Sequence, residues 1–360
     1  MDNFAFIIHP IDVDDASRKF KFMKNWPDNL IEGILKLLPP VKVSHITGVK
    51  SEYNEVEGWF VGCPLTTRQM MTLPETFVLN KIIKAGKLAE KLGAKIVGLG
   101  AFTSVVGDAG ITIAKNLKIA VTSGNSYTVA TAIEGAKEAA KLMGKDIKNA
   151  EVVVIGATGS IGKVCSQILA KEARYLTLVG RNTEKLEAVA EKILRETGLS
   201  ARITSNVKNA LKKADVVITV TSSVDTIIEP EDLKPGAVVC DVSRPRDVSK
   251  EVAEKRDDVL IIEGGVVEVP GDVNFNFNFG FEPKTAYACM AETMILALEK
   301  RYENFSLGRD LTVEQVEEIS RLAKKHGFKL AGFRSFERPV TKEHIEKVKR
   351  NAEAKLKSTL

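Results

Sequence analysis

Gly156-Ala157-Thr158-Gly159-Ser160-Ile161-Gly162 follows directly on the β-branched run Val152-Val153-Val154-Ile155 and opens a helical stretch that reaches about Glu172. Strand, glycine loop and helix in immediate succession constrain this chain more than any other feature. The glycines allow a tight turn, let backbone approach a pyrophosphate and let the helix pack on the strand, while the helix N-terminus faces phosphate charge. The spacing is Gly-x-x-Gly-x-x-Gly rather than Gly-x-Gly-x-x-Gly, yet the context predicts that all seven residues form a dinucleotide site. At the end of the next strand, Leu176 to Val179, stands Gly180-Arg181-Asn182. An NAD site carries an acidic residue there for the ribose hydroxyls. A guanidinium instead matches a 2′-phosphate, which favours NADPH.

Around this loop, strand and helix patterns alternate. Leu176 to Val179, Val216 to Val220, Ala237 to Asp241 and Val259 to Ile262 read as strands, with helical stretches at Glu184 to Leu194 and near Asn206 to Lys212 between the first two. Such alternation means crossover connections and a doubly wound parallel sheet. Before the loop, Phe4 to Ile8 and the alternating Val41 to Val49 read as strands, and Pro74 to Leu92 has helical spacing closed by Gly93. The apolar Ile96 to Leu99 follows at once, which indicates an α/β first domain. The expected organisation is therefore an α/β substrate domain over 1–124, a Rossmann domain over 125–282 and a helical C-terminal segment over 283–360.

The length of 360 residues is enough for about two domains of roughly 150 residues each. Hydrophobic residues at 44% and charged residues at 28% exclude a disordered or fibrous chain. The net charge of +5 is too small and too dispersed to argue for nucleic acid. No apolar run approaches the eighteen or so residues of a membrane span. The opening Met1–Pro10 lacks a basic leader region, so a cytoplasmic protein with reduced thiols is expected. Cys63, Cys165, Cys240 and Cys289 are far apart, and His9, His45, His326 and His344 are scattered, so no metal site is expected.

Cys289 lies near the start of a helix, after Pro283-Lys284-Thr285-Ala286-Tyr287-Ala288. The positive end of a helix can make a nucleophilic thiolate. By residue pattern alone, however, a small buried hydrophobe in an apolar helix fits better. Glu292 at i+3 shares the face of Cys289 and opposes thiolate formation, unless it is protonated or serves as a proton donor.

Several separate motifs occur in a recognisable order: Leu99-Gly100-Ala101-Phe102-Thr103-Ser104, Thr122-Ser123-Gly124-Asn125, the Gly156–Gly162 loop, Gly180-Arg181-Asn182, Gly264-Gly265-Val266-Val267-Glu268, Tyr287-Ala288-Cys289-Met290-Ala291-Glu292, Asn304-Phe305-Ser306-Leu307-Gly308-Arg309 and His326-Gly327-Phe328. In them the chain resembles the long-chain fatty acyl-[acyl carrier protein] reductase family of cyanobacteria along most of its length. The resemblance implies that Cys289 takes an acyl group from acyl carrier protein; acyl-CoA is the alternative donor, and Glu292 beside Cys289 is the second catalytic candidate. NADPH then reduces the acyl-enzyme to a fatty aldehyde. Thr221 and Gly265 join the cofactor-binding set.

The chain departs from the family pattern in three places. Asn274-Phe275-Asn276-Phe277-Asn278-Phe279 is an alternating aromatic run, as of a half-buried strand or the lining of an acyl channel. Tyr127 replaces a histidine, and a basic tail extends from Arg334.

Thr103, Ser104 and Asn125 lie just after first-domain strands and are candidates to bind the thioester oxygen, although turn and helix-cap roles account for Ser123 to Ser126 almost as well. Lys300-Arg301, Lys324-Lys325 and Lys347 to Arg350 are candidates to dock an acidic carrier. Two other readings stay open: a shikimate-dehydrogenase-like alcohol or ketone oxidoreductase without covalent catalysis, and a nucleotide-sensing or carrier-binding protein without turnover.

Overall fold

Phe4, Ala5, Phe6 and Ile7 are all buried, as a strand covered on both faces requires. They form the centre of β1 (Asp2–Ile8). The computed structural model describes residues 2–15, 26–223, 225–243, 245–278, 280–336 and 338–358. They divide into two compact units. The first comprises 1–125, 268–310 and 318–329; the second comprises 126–267, 311–317 and 330–360.

In the first unit β1 pairs in parallel with β3 (Glu55–Gly62) and β4 (Ile96–Leu99), and β4 with β5 (Ala120–Thr122). β2 (Val41–Lys50) pairs antiparallel with β3, and a later strand, Gly271–Asn274, completes the sheet beyond β2. Side chains alternate across β1. Ala5 and Ile7 meet helix α1 (Glu75–Lys91), whose Val78, Ile82, Ala85 and Ala89 recur at the helical period. Phe6 points to the other face, with its ring edge on Phe60.

The second unit holds a six-stranded all-parallel sheet. Its strands are β6 (Glu151–Ile155), β7 (Tyr175–Val179), β8 (Arg202–Thr204), β9 (Val216–Thr219), β10 (Val238–Asp241) and β11 (Leu260–Glu263), in the order β11-β10-β9-β6-β7-β8. This is the doubly wound order, with the reversal between β6 and β9. Helices α2 (Asn125–Leu142), α3 (Ser160–Leu169) and α4 (Thr183–Thr197) belong to its layers. Ala132, Ala136 and Ala139 of α2 share one core with Val152, Val154, Ile218 and Cys240. The α/β class and the parallel sheet read from the sequence are the observed ones.

The expected helical segment over 283–360 is not a separate body, because its residues are shared between the two units. It also contains strands: Phe333–Ser335 and Arg338–Val340 pair as an antiparallel ribbon before the helix Lys342–Ser358. Local periodicity identifies helices but cannot say which sheet each covers. The aromatic run also differs from expectation, since the strand ends at Asn274. Phe275 then stacks on Phe60 at 6.0 Å, and Phe277 meets the same ring edge-on at 6.1 Å. Phe279 lies outside the described residues.

Candidate active site

The predicted dinucleotide residues gather at the carboxyl ends of the second unit's strands, where ligands of open α/β sheets bind. Gly156 leaves β6 with φ +82°, and a Cβ there would lie 2.7 Å from the Val220 carbonyl oxygen. A Cβ on Gly162 would lie 2.2 Å from the Gly156 carbonyl oxygen. Gly156 and Ala157 donate their N–H groups to the Val179 carbonyl at 2.9 and 3.1 Å, which pins the turn against β7. Gly159 is the N-cap of α3, with Ser160 and Ile161 in its first turn. The Ser160 Oγ is buried with no hydrogen-bond partner among the described residues. An orphan hydroxyl at a helix N-terminus, beside a cradle that side chains would fill, fits a bound phosphate.

Thr158 packs near Gly180, whose Cβ would meet the Thr158 methyl at 3.3 Å. Arg181 is exposed at the end of β7. Asn182 caps α4, its side-chain oxygen accepting the Lys185 N–H at 2.9 Å. Thr221 follows β9, and Gly265 follows β11 with φ +77°. Sequence reading missed Asp247, the buried organiser of this edge. It accepts the hydroxyls of Thr219, Thr221 and Ser243, each at 2.5 Å. No local pattern marks it, because two of its three partners, Thr219 and Thr221, lie more than twenty-five positions away at the end of another strand.

The first unit holds the thiol. Cys289 is the second residue of α5 (Ala288–Leu298), which packs on the face of β1 and β4 that carries Phe6. The fit is tight, since a Cβ on Gly98 would lie 2.0 Å from the Thr293 Oγ1 and 2.5 Å from the Phe6 ring. Cys63, Cys165 and Cys240 are buried, and burial pushes the thiols of Cys63 and Cys165 up to about 12. Cys289 alone of the four is partly exposed, at the positive end of a helix.

Glu292, one turn on, is fully buried. Its Oε1 accepts the Thr122 hydroxyl at 2.5 Å and the Ser306 hydroxyl at 2.7 Å. The Thr122–Asn125 loop presses on the same helix turn: a Cβ on Gly124, which has φ +75°, would lie 2.4 Å from both the Cα and the Cβ of Cys289. Asn125 follows this contact directly. Thr103 and Ser104 do not have the expected arrangement. Their hydroxyls donate to the Gly100 and Ala101 carbonyls at 2.8 and 2.7 Å, so the single proton of each is used within its own turn.

His9 supports that turn by accepting the Phe102 N–H on Nε2 at 3.2 Å, with Nδ1 on the Pro10 carbonyl at 2.9 Å. Desolvation lowers its pKa from 6.5 to about 4 against the opposing pull of the Pro10 and Leu65 carbonyls. The folded state therefore holds His9 neutral, and as pH falls the unfolded chain takes the proton first. Stability of the first unit is full above about pH 6.5 and falls by about 2–3 kcal/mol towards pH 4. Denaturant titrations at pH 7 and 4.5 should show this loss, and His9→Gln should reduce it.

The basic stretches are partly engaged within the chain. Arg301 bonds Glu303, and Glu318 at 2.9 Å, while Lys325 bonds Glu299 at 2.7 Å. Burial, the largest effect on Tyr127, raises its phenol pKa. Among the described residues, no helix is long and apolar enough to cross a membrane, and no three His, Cys, Asp or Glu side chains gather as a metal site.

The shikimate/quinate 5-dehydrogenase family model matches residues 137–262, within the second unit. Aminotransferase PigE of Serratia sp. is 31% identical over 323 residues, which is 89% of this chain but 37% of that protein. The chain thus spans little more than a third of the Serratia protein's length. The long-chain acyl-[acyl-carrier-protein] reductase of Synechococcus elongatus is 29% identical over 328 residues, 87% of this chain and 90% of that one. The glutamyl-tRNA reductase of Cyanophora paradoxa is 24% identical over 182 residues, 49% and 41% of the two chains. Two of these relatives are named as reductases and the matched family model as a dehydrogenase, and the part of the chain matched by that model holds most of the doubly wound parallel sheet.

Proposed function

We propose that this chain, a homologue of the cyanobacterial long-chain acyl-[acyl-carrier-protein] reductase, reduces an acyl thioester to an aldehyde through an acyl-enzyme on Cys289. The observation that carries this reading is the position of Cys289. It is the one partly exposed thiol of four, in the first turn of an otherwise buried helix, and the stretch around it, Tyr287 to Glu292, resembles that family.

The Cys289 sulfur attacks the thioester carbonyl and forms a new C–S bond. The donor's C–S bond breaks, and the departing thiol takes the proton that Cys289 gives up. The Gly156–Gly162 loop and Ser160 would hold the phosphates of a nicotinamide dinucleotide and Arg181 its 2′-phosphate, and that group, when bound, would supply the hydride that the acyl carbon accepts. The bond between that carbon and the Cys289 sulfur then breaks, the sulfur keeps the electron pair and takes up a proton, and the aldehyde departs. Acyl carrier protein is the donor suggested by the Synechococcus relative, and the compartment that fits these chemistries is the cytoplasm.

Incubation with NADPH and a panel of acyl-carrier-protein and acyl-CoA thioesters, followed at the nicotinamide absorbance band, tests the proposal. Oxidation of NADPH with aldehyde formation is expected. Oxidation with simple ketones or alcohol formation from carbonyl substrates would favour the dehydrogenase reading, to which the family match over 137–262 belongs. NADPH binding without turnover on any of them would favour a sensing role.

Cofactor choice has its own test. Arg181→Ala should weaken NADPH binding by roughly tenfold to a hundredfold, about 1.4–3 kcal/mol, and leave NADH nearly unchanged, because only the 2′-phosphate loses its charged partner. Calorimetric titration with both cofactors measures this. Equal losses would remove Arg181 from the site.

A further inference from the structure

The segment Asn304–Arg309 has no part in the mechanism above, yet it reaches the thiol site. Asn304 Oδ1 accepts the Val121 N–H at 2.9 Å, and the Phe305 N–H donates to the Val121 carbonyl at 3.0 Å. Phe305 thereby forms a parallel bridge with Thr122 at the edge of β5. The next residue, Ser306, is 1% exposed and has φ +49°, in the left-handed region where glycine would be the unstrained choice.

A serine kept in that conformation calls for a reason, and its hydroxyl supplies one. The Ser306 Oγ donates to Glu292 Oε1 at 2.7 Å, on the same oxygen that takes the Thr122 hydroxyl. The two converging hydroxyl oxygens lie 3.2 Å apart. Ser123 Oγ donates to the Ser306 carbonyl at 2.5 Å. One side of this cluster is the helix turn that bears Cys289. The other is the loop whose Gly124 touches the Cys289 backbone.

We infer that Ser306 is a positioning residue of the Cys289 site: its hydroxyl holds the Glu292 carboxylate against Thr122 and so fixes the thiol-bearing turn and the Thr122–Asn125 loop in one arrangement. The inference rests on reading Cys289 as the nucleophile. With the hydroxyl gone, Glu292 Oε1 loses one of the two hydroxyls that converge on it, and the helix turn that bears Cys289 loses a tie to the Thr122–Asn125 loop. The thiol is then no longer held in the single orientation in which it reacts.

Ser306→Gly and Ser306→Ala separate this role from a structural one. Both remove the hydroxyl, but only the glycine variant relieves the backbone strain, so its Tm should be the higher of the two. Alkylation of Cys289 by iodoacetamide in the native protein, read by mass spectrometry of its peptide, should slow roughly tenfold in both. Acyl-thioester turnover should fall similarly in kcat, with KM little changed. In a Glu292→Gln background the same substitutions should no longer slow alkylation. If reactivity instead follows stability, with the glycine variant at or above the wild-type rate and the alanine variant below it, Ser306 is structural and the inference is overturned. Slowed alkylation in both variants of a protein that reduces no thioester would uphold Ser306 and overturn the reductase proposal, so the two fail separately.

Discussion

Cys289→Ala should keep its fold and its NADPH binding and make no aldehyde. The fold survives because the change in volume is small and the site is partly exposed. Cofactor binding survives because the glycine loop is built from β6, β7 and α3, none of which contains the thiol. Turnover is lost because no other thiol can stand in for it: Cys63, Cys165 and Cys240 are buried, and burial holds Cys165 protonated and Cys63 too, there against the pull of Lys81. The wild type, given acyl thioester without NADPH, should gain the mass of one acyl group on the Cys289 peptide. Intact-protein and peptide mass spectrometry decide the matter. An unmodified wild type beside an active Cys289→Ala enzyme would mean direct, non-covalent reduction.

Gly124→Ala should be the most damaging glycine substitution in the first unit for activity. Two costs coincide there: a backbone at φ +75°, and a Cβ driven to 2.4 Å from the Cα and Cβ of Cys289, with its carbonyl oxygen 2.8 Å away. Backbone atoms in a buried helix turn cannot rotate aside as a flexible side chain could. About 3 kcal/mol or more should be lost, with turnover abolished as the thiol-bearing turn is displaced. Gly93→Ala is the control. It has φ +91°, but the nearest atom to its Cβ is the Asn3 amide nitrogen at 3.8 Å, so only the conformational cost of about 1 kcal/mol applies. Urea titrations of the two variants isolate the contact, and similar losses would mean that the Gly124 loop yields without disturbing Cys289.

The nucleotide half was legible because its signals are local. A β-branched run, three glycines and a helix start within a dozen residues need no partner to be read, and the alternation from Val216 to Ile262 leaves few topologies open. Asn182 shows the limit of that locality, since a polar residue after a strand serves equally as a ligand or as a helix cap, and here it caps α4. Thr103 and Ser104 show it again, because a hydroxyl has one proton and the nearest carbonyl in its own turn takes it.

The sequence by itself determined the α/β class, the Gly156–Gly162 cradle and the presence of Cys289 at a helix start, all properties of neighbouring residues and backbone preference. Only the tertiary structure decided that 268–310 return to the first unit, that Glu292 meets Thr122 from 170 positions away, and that a strained Ser306 joins them. Glycine preferences and helix starts are set by the energetics of a few adjacent dihedral angles. The partners of a buried carboxylate are set by which segments share one desolvated space, and no spacing along the chain encodes that.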